Sequence, residues 1–172
     1  MPRLGVVCSA AGGVEAVRCA LVEPLLAAGW AVGVTATPTA YRWLTDLGEV
    51  ARIEAATGLP CRVESRLPRE DRPHPDPDCV AVVPATLNTV AKLALGVADN
   101  QALTQACEAL GSGVPMVVVP RVNAANAGHP AFAGHLATLR RAGVALVGSP
   151  DGPLPWDEVR AAIRAAGGAQ PG

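Results

Sequence analysis

The chain reads as an α/β protein: a three-layer sandwich in which a parallel sheet is covered by helices on both faces. Three observations predict it. Short runs that are apolar throughout, at residues 4–7, 31–35, 80–83 and 114–119, have the length and character of strands buried on both sides. Stretches with helical spacing of apolar residues separate them, the alternation that produces parallel strands with crossover helices. Half of the 172 residues are hydrophobic, yet only one Phe and one Tyr are present, so small aliphatic side chains must fill the interior. Together these indicate a Rossmann-like domain spanning residues 1–172, with the Gly-rich tail 167–172 expected to fray.

In order, the first strand (4–7) runs into Cys8-Ser9-Ala10-Ala11-Gly12-Gly13, a small-residue loop that opens a helix over 14–28. Such a loop lets a ligand approach the backbone at a helix N-terminus, although it serves equally as a tight turn. Gly29 closes that helix and the second strand (31–35) follows. Thr37-Pro38-Thr39-Ala40 then precedes helices over 41–47 and 50–56, and its hydroxyls suit an N-cap. Residues 62–77 carry four prolines and eight charges and read as a surface loop.

The third strand (80–83) ends in Pro84-Ala85-Thr86-Leu87-Asn88-Thr89, and Val90, Ala91, Leu93 and Ala94 then repeat at helical spacing, with Asn88 expected as the N-cap. A polar loop between a strand's carboxyl end and a helix N-terminus is where open α/β sheets bind anionic ligands, and also where an ordinary cap and turn occur. After a helix over 101–110 and the strand at 114–119, Pro120-Arg121-Val122-Asn123 makes a second polar loop on the same side. Arg121 can pair with a carboxylate or another anion, and Asn123 both donates and accepts. A helix over 131–142, a strand over 144–147, a Pro/Gly-rich linker over 148–155 and a helix over 156–166 complete the chain.

A net charge of −1 gives no electrostatic footprint for nucleic acid. No apolar run reaches the roughly 20 residues of a membrane helix. Five widely spaced cysteines, without metal-ligand spacing, are expected to be reduced and largely buried in a cytoplasmic protein, and no signal peptide is legible.

The string Pro84 to Thr89, with Ala91-Lys92 and Gly96-Val97-Ala98-Asp99-Asn100, resembles the Pro-Ala-Ser-Ala-Asn-Thr motif and trailing residues of a flavoprotein family. That family includes the phosphopantothenoylcysteine decarboxylases and the lantibiotic peptidyl-cysteine decarboxylases. Thr86 stands for the usual Ser and Leu87 for the usual Ala. The resemblance implies FMN bound without covalent attachment, with Ser9, Ala10 and Gly12 around its phosphate end and Thr37, Thr39, Pro84, Ala85, Thr86, Asn88, Thr89 and Asp99 completing the cofactor site.

It implies a homo-oligomer, a trimer or dodecamer, with the flavin at a subunit interface that Trp43 and residues 96–101 would face. In the family a Pro-x-Met-Asn-x-x-Met-Trp string recognises substrate. Here Pro120 and Asn123 are kept, while Asn126 and Ala127 replace Met-Trp, giving Arg121, Asn123 and Asn126 as the implied substrate contacts. The catalytic histidine of the family maps near Glu70, leaving His74 as the candidate beside Asn123, and no counterpart of the family's Gly-rich flap is found in 148–155.

The activity implied is flavin-dependent decarboxylation of a cysteine-type or other small-molecule or peptide carboxylate. Arg121 after Val119-Pro120 is also similar to the flavin prenyltransferases, which makes prenyl transfer to reduced FMN an alternative. A non-catalytic FMN-binding protein that has lost the histidine is the third reading.

Overall fold

The computed structural model describes residues 1–168. Five parallel strands form one sheet in the order β2-β1-β3-β4-β5: β1 Arg3–Cys8, β2 Ala31–Ala36, β3 Cys79–Ala85, β4 Met116–Pro120 and β5 Ala145–Leu146. Alternate residues feed two apolar layers. Leu4, Val6, Val32, Val34, Ala81 and Val83 pack toward one helical layer, while Val7, Val80, Val82 and Val118 pack toward the other. All seven residues of β3 are buried, which is why its sequence is continuously apolar.

The first layer holds a helical segment over 14–27 and three helices, α2 Pro38–Asp46, α3 Glu49–Thr57 and α8 Trp156–Gly168. The expected regular helix over 14–28 is corrected. It opens with a 3-10 turn (Val14–Ala16), passes through π-helical turns (Arg18–Val22) and becomes α-helical only over α1, Glu23–Ala27. Pro24 has no N–H to give the Ala20 carbonyl, and the Arg160 guanidinium from α8 donates to that carbonyl instead. Glu49, nearly buried at the start of α3, accepts from Arg18 and Arg52 and ties this segment to α3.

The second layer holds α4 Leu87–Leu95, α5 Gln101–Gly111 and α7 Phe132–Arg141, with the short α6 Ala124–Ala127 before α7. The fourth strand starts later than the sequence suggests because Pro115 cannot donate to the ladder, although its carbonyl still accepts from Val80 N–H at 2.9 Å. The fifth is cut to two paired residues, Ala145 and Leu146.

The outer edge of β2 is not open. Arg62 N–H donates to the Val34 carbonyl at 2.9 Å and the Arg62 carbonyl accepts from Ala36 N–H at 2.8 Å, so one residue of the following segment closes the ladder. Residues 63–77 then fold over the sheet beside α5. Gly5 and Gly33 are register partners there, and the absence of their Cβ atoms is required. A Cβ on Gly33 would lie 2.8 Å from His74 Nδ1, and one on Gly5 would lie 2.6 Å from Gln105 Nε2.

Cys8, Cys61 and Cys79 are buried thiols, Cys19 is exposed, and Cys107 is half-buried, all free. Burial pushes the Cys61 and Cys79 thiols up to about 12, far from reactivity. The helix α8 continues through Gly167, whose Cα is covered by the Trp30 ring, and Gly168. The expected fraying therefore does not begin at 167, and residues 169–172 lie outside the described residues. No helix among the described residues is long and apolar enough to cross a membrane.

Candidate functional site

The loops that leave the carboxyl ends of the strands are stitched together by their backbones. Thr37 N–H donates to the Cys8 carbonyl (2.9 Å), Ser9 N–H to Pro84 (3.0 Å), Arg121 N–H to Ala85 (2.8 Å) and Val122 N–H to Pro150 (2.7 Å). Every strand end is thus fixed against its neighbour, which makes a rigid floor for a ligand.

On that floor, Ser9 and Thr89, both 1 % exposed, share a hydrogen bond of 2.7 Å between their hydroxyls. Thr86 Oγ1 donates to Thr89 Oγ1 at 3.2 Å and accepts from Thr89 N–H at 3.2 Å. Thr86 is therefore the N-cap of α4, which corrects the expectation for Asn88. β3 runs extended through Ala85, so the helix begins at Leu87 and Asn88 falls inside its exposed first turn. The Leu87 and Asn88 N–H groups have no acceptor among the described residues, and neither do those of Ala10 and Gly12. Gly13 N–H is held by Glu15 Oε2 at 3.1 Å. These free donors, in the loop after β1 and at the start of α4, suit a phosphate and other anionic groups.

Arg121 reaches across to the first loop. Its Nη1 donates to the Asp151 carbonyl at 3.0 Å, and its Nη2 and Nε lie 3.9 and 4.0 Å from where a Cβ on Gly12 would be. The Ser149 hydroxyl, then the backbone and the Arg121 charge hold the Asp151 carboxyl below its usual range. Leu154 presses on Gly13, whose φ of 96° and missing Cβ permit a contact that a Cβ would close to 2.3 Å. Residues 148–155 consequently lie across two of the site loops. The sequence showed no flap there because its Pro and Gly residues carry no periodicity; the contacts of Pro150, Asp151 and Leu154 make it a strap.

Asn123 caps α6, its Oδ1 accepting from Asn126 N–H at 2.8 Å, which leaves Nδ2 to donate elsewhere; both asparagines are exposed. Thr37 caps α2 by accepting from Ala40 N–H at 3.4 Å, with Thr39 exposed in the first turn. Pro84 and Ala85 are buried in β3, and their carbonyls hold Ser9 and Arg121. Asp99 stands apart, separated from Thr86 by the nine residues of α4 and engaged by Lys92 and Asn100.

His74 also stands apart. Its ring lies on Gly33 in the middle of β2, with Nε2 donating to the Pro60 carbonyl at 2.7 Å and Nδ1 buried without a partner. Burial, aided by the Arg62 charge and opposed by the Pro60 bond, pushes its pKa below the ordinary value. Neither its contacts nor its position brings it to the strand-end loops. His129, by contrast, follows directly from the Asn123 loop, with its N–H on the Asn126 carbonyl. Its Nδ1 accepts from Ala131 N–H at 3.2 Å, so the neutral ring carries its proton on Nε2. His129 lies six residues after Asn123.

The Flavoprotein family matches residues 2–167 of the chain. The chain belongs to that family. Among solved structures, this flavoprotein is similar to the FMN-dependent cysteine decarboxylase SpaF, with 25% identity, a TM-score of 0.71 and coverage of 96% of this chain and 98% of SpaF. It is also similar to TvaF, an FMN-dependent cysteine decarboxylase from thioviridamide biosynthesis, at 25% identity and TM-score 0.76, covering 98% of this chain and 99% of TvaF. A PPC decarboxylase carrying a C175S substitution shares the fold at 20% identity, with a TM-score of 0.72 over 99% of this chain and 100% of the other. No curated protein sequence matches the flavoprotein.

Proposed function

We propose that this flavoprotein is a single FMN-binding domain that catalyses decarboxylation of a cysteine-type or other small carboxylate substrate. One observation carries the reading: the Ser9–Thr89–Thr86 cluster and the free N–H groups of Ala10, Gly12, Leu87 and Asn88 converge at the carboxyl ends of β1 and β3. That donor set suits the phosphate and polar ring edge of FMN, and the neighbours SpaF and TvaF are FMN-dependent cysteine decarboxylases.

When bound, FMN supplies reversible two-electron chemistry. The chain's residues do the rest. Ser9, Ala10, Gly12 and the start of α4 hold the cofactor, with Thr37 beside them. The free edge of Arg121 and Asn123 Nδ2 orient the substrate carboxylate, Asn126 borders it, and the strap over 148–155 limits water. His129, adjoining the Asn123 loop, is the candidate in its protonated form to supply the product's proton, whereas the His74 ring packs on Gly33.

Exposed apolar side chains on and just after α2, Trp43 and Leu47, and at and just beyond the end of α4, Leu95 and Val97, support self-association as a homo-oligomer. Buried, unreactive thiols suit a cytoplasmic setting.

The test is carbon dioxide release from cysteine-ended peptides and acyl-cysteines with FMN present. Turnover that disappears in Asn123→Ala while FMN stays bound supports the lyase. Its absence over the whole panel, with FMN bound, favours a second reading: an FMN-binding protein without the lyase step. The burial of His74 in the sheet covering is the observation behind that alternative.

A further inference from the structure

The covered edge of the sheet carries an unbalanced charge. Arg62 spends its backbone on β2, but its half-buried guanidinium has no hydrogen bond or ion pair among the described residues. It opens into a cleft of about 830 Å³ between the segment 62–77 and α5. Small-molecule sites run from roughly 300 to 1,000 Å³.

Arg66 lines the same cleft. Its Nη1 is held by the carbonyls of Leu67, Pro68 and Glu70, the last at 2.9 Å, which pins the guanidinium and leaves its other N–H groups without partners. The two cations oppose each other: burial and the Arg66 charge both act to weaken the Arg62 cation. Glu108, on the α5 wall, favours it but stands outside ion-pair range. Gln101 Oε1 accepts from the Ser65 hydroxyl at 3.0 Å, so its amide N–H groups remain as neutral donors. Burial and the Arg62 charge, against the Pro60 bond, bias the His74 ring toward its neutral form. A half-buried cation with no counter-ion is costly, and a bound anion offsets that cost.

We propose that this cleft is a second ligand site, which takes a small molecule bearing a carboxylate or phosphate between Arg62 and Arg66, with Gln101 as a neutral donor. The site does not depend on the flavin reading.

The test is thermal denaturation of the full chain with FMN in excess, titrated with inorganic phosphate and separately with succinate, each against sodium chloride at matched ionic strength. The site predicts a rise in melting temperature specific to one or both anions, and the pair of titrations tells phosphate from carboxylate recognition. Arg62→Gln should weaken that binding by about tenfold or more, as loss of a charge-assisted contact does. Arg140→Gln, an exposed cation in the last turn of α7 and outside the cleft, should leave it unchanged. If Arg62→Gln does not fold, Glu108→Gln gives the opposite sign: removal of the nearby carboxylate tightens binding. The proposal is overturned if the wild-type protein shows no anion-specific response, as a second copy covering the cleft would cause, or if Arg62→Gln and Glu108→Gln both respond like wild type.

Discussion

Gly33→Ala tests whether His74 is part of the packing or part of the chemistry. The new Cβ would lie 2.8 Å from His74 Nδ1 and 2.9 Å from its Cγ, so the ring must move. Movement breaks the 2.7 Å bond to the Pro60 carbonyl, a loss of about 1 kcal/mol. Overpacking adds about 1–3 kcal/mol, and replacing Gly by Ala in a strand returns roughly 0.5–1 kcal/mol. The net expectation is destabilisation of about 1–3 kcal/mol, read as a lower urea midpoint at unchanged slope.

Truncating the ring removes the clash, so Gly33→Ala with His74→Ala should cost less than the sum of the single changes, and FMN affinity should stay at the wild-type value in all three variants. The reasoning is refuted if Gly33→Ala is neutral, or if it weakens FMN binding while stability is unchanged.

Other expectations follow from the same geometry. Ser9→Ala and Thr89→Val each break the buried 2.7 Å hydroxyl pair and should weaken FMN binding by about tenfold in a fluorescence titration, while Thr89→Ser keeps most of it. His129→Gln should lower turnover without changing FMN affinity, whereas His74→Gln should leave turnover unchanged; steady-state rates with a cysteine-ended peptide decide this. Because His74 titrates below its ordinary 6.5 in the folded protein, its contribution to stability is full above pH 6.5 and declines as pH falls below it. His74→Gln should flatten that part of the stability profile. Glu49, held below 4.5 chiefly by Arg18, gives a separate loss at still lower pH that Glu49→Gln removes.

The sheet was legible because strands buried on both faces need continuous apolar runs, and those of β1, β2 and β3 have few alternatives. What local pattern could not supply was the competition between neighbours. Asn88 and Thr86 are both good caps, and the choice fell to Thr86 because β3 stays extended to Ala85. Pro24 was visible, but the Arg160 contact that satisfies the freed Ala20 carbonyl lies 140 residues away.

The candidate site divides in the same way. Ser9, Thr86 and Thr89 could be named from loops at strand ends and from the motif, and the fold joins them. His74 looked like a loop histidine because nothing in its sequence neighbourhood announces Gly33 beneath it. The strap was read as a linker because its role rests on Gly13, Arg121 and Val122, each distant in sequence.

The most direct measurement of the central claim is the visible absorption spectrum of the protein purified without added cofactor, followed by heat release and mass identification of the chromophore. The account predicts a flavin spectrum and stoichiometric FMN, reduced in Ser9→Ala. A colourless protein that also takes up no added FMN would contradict it.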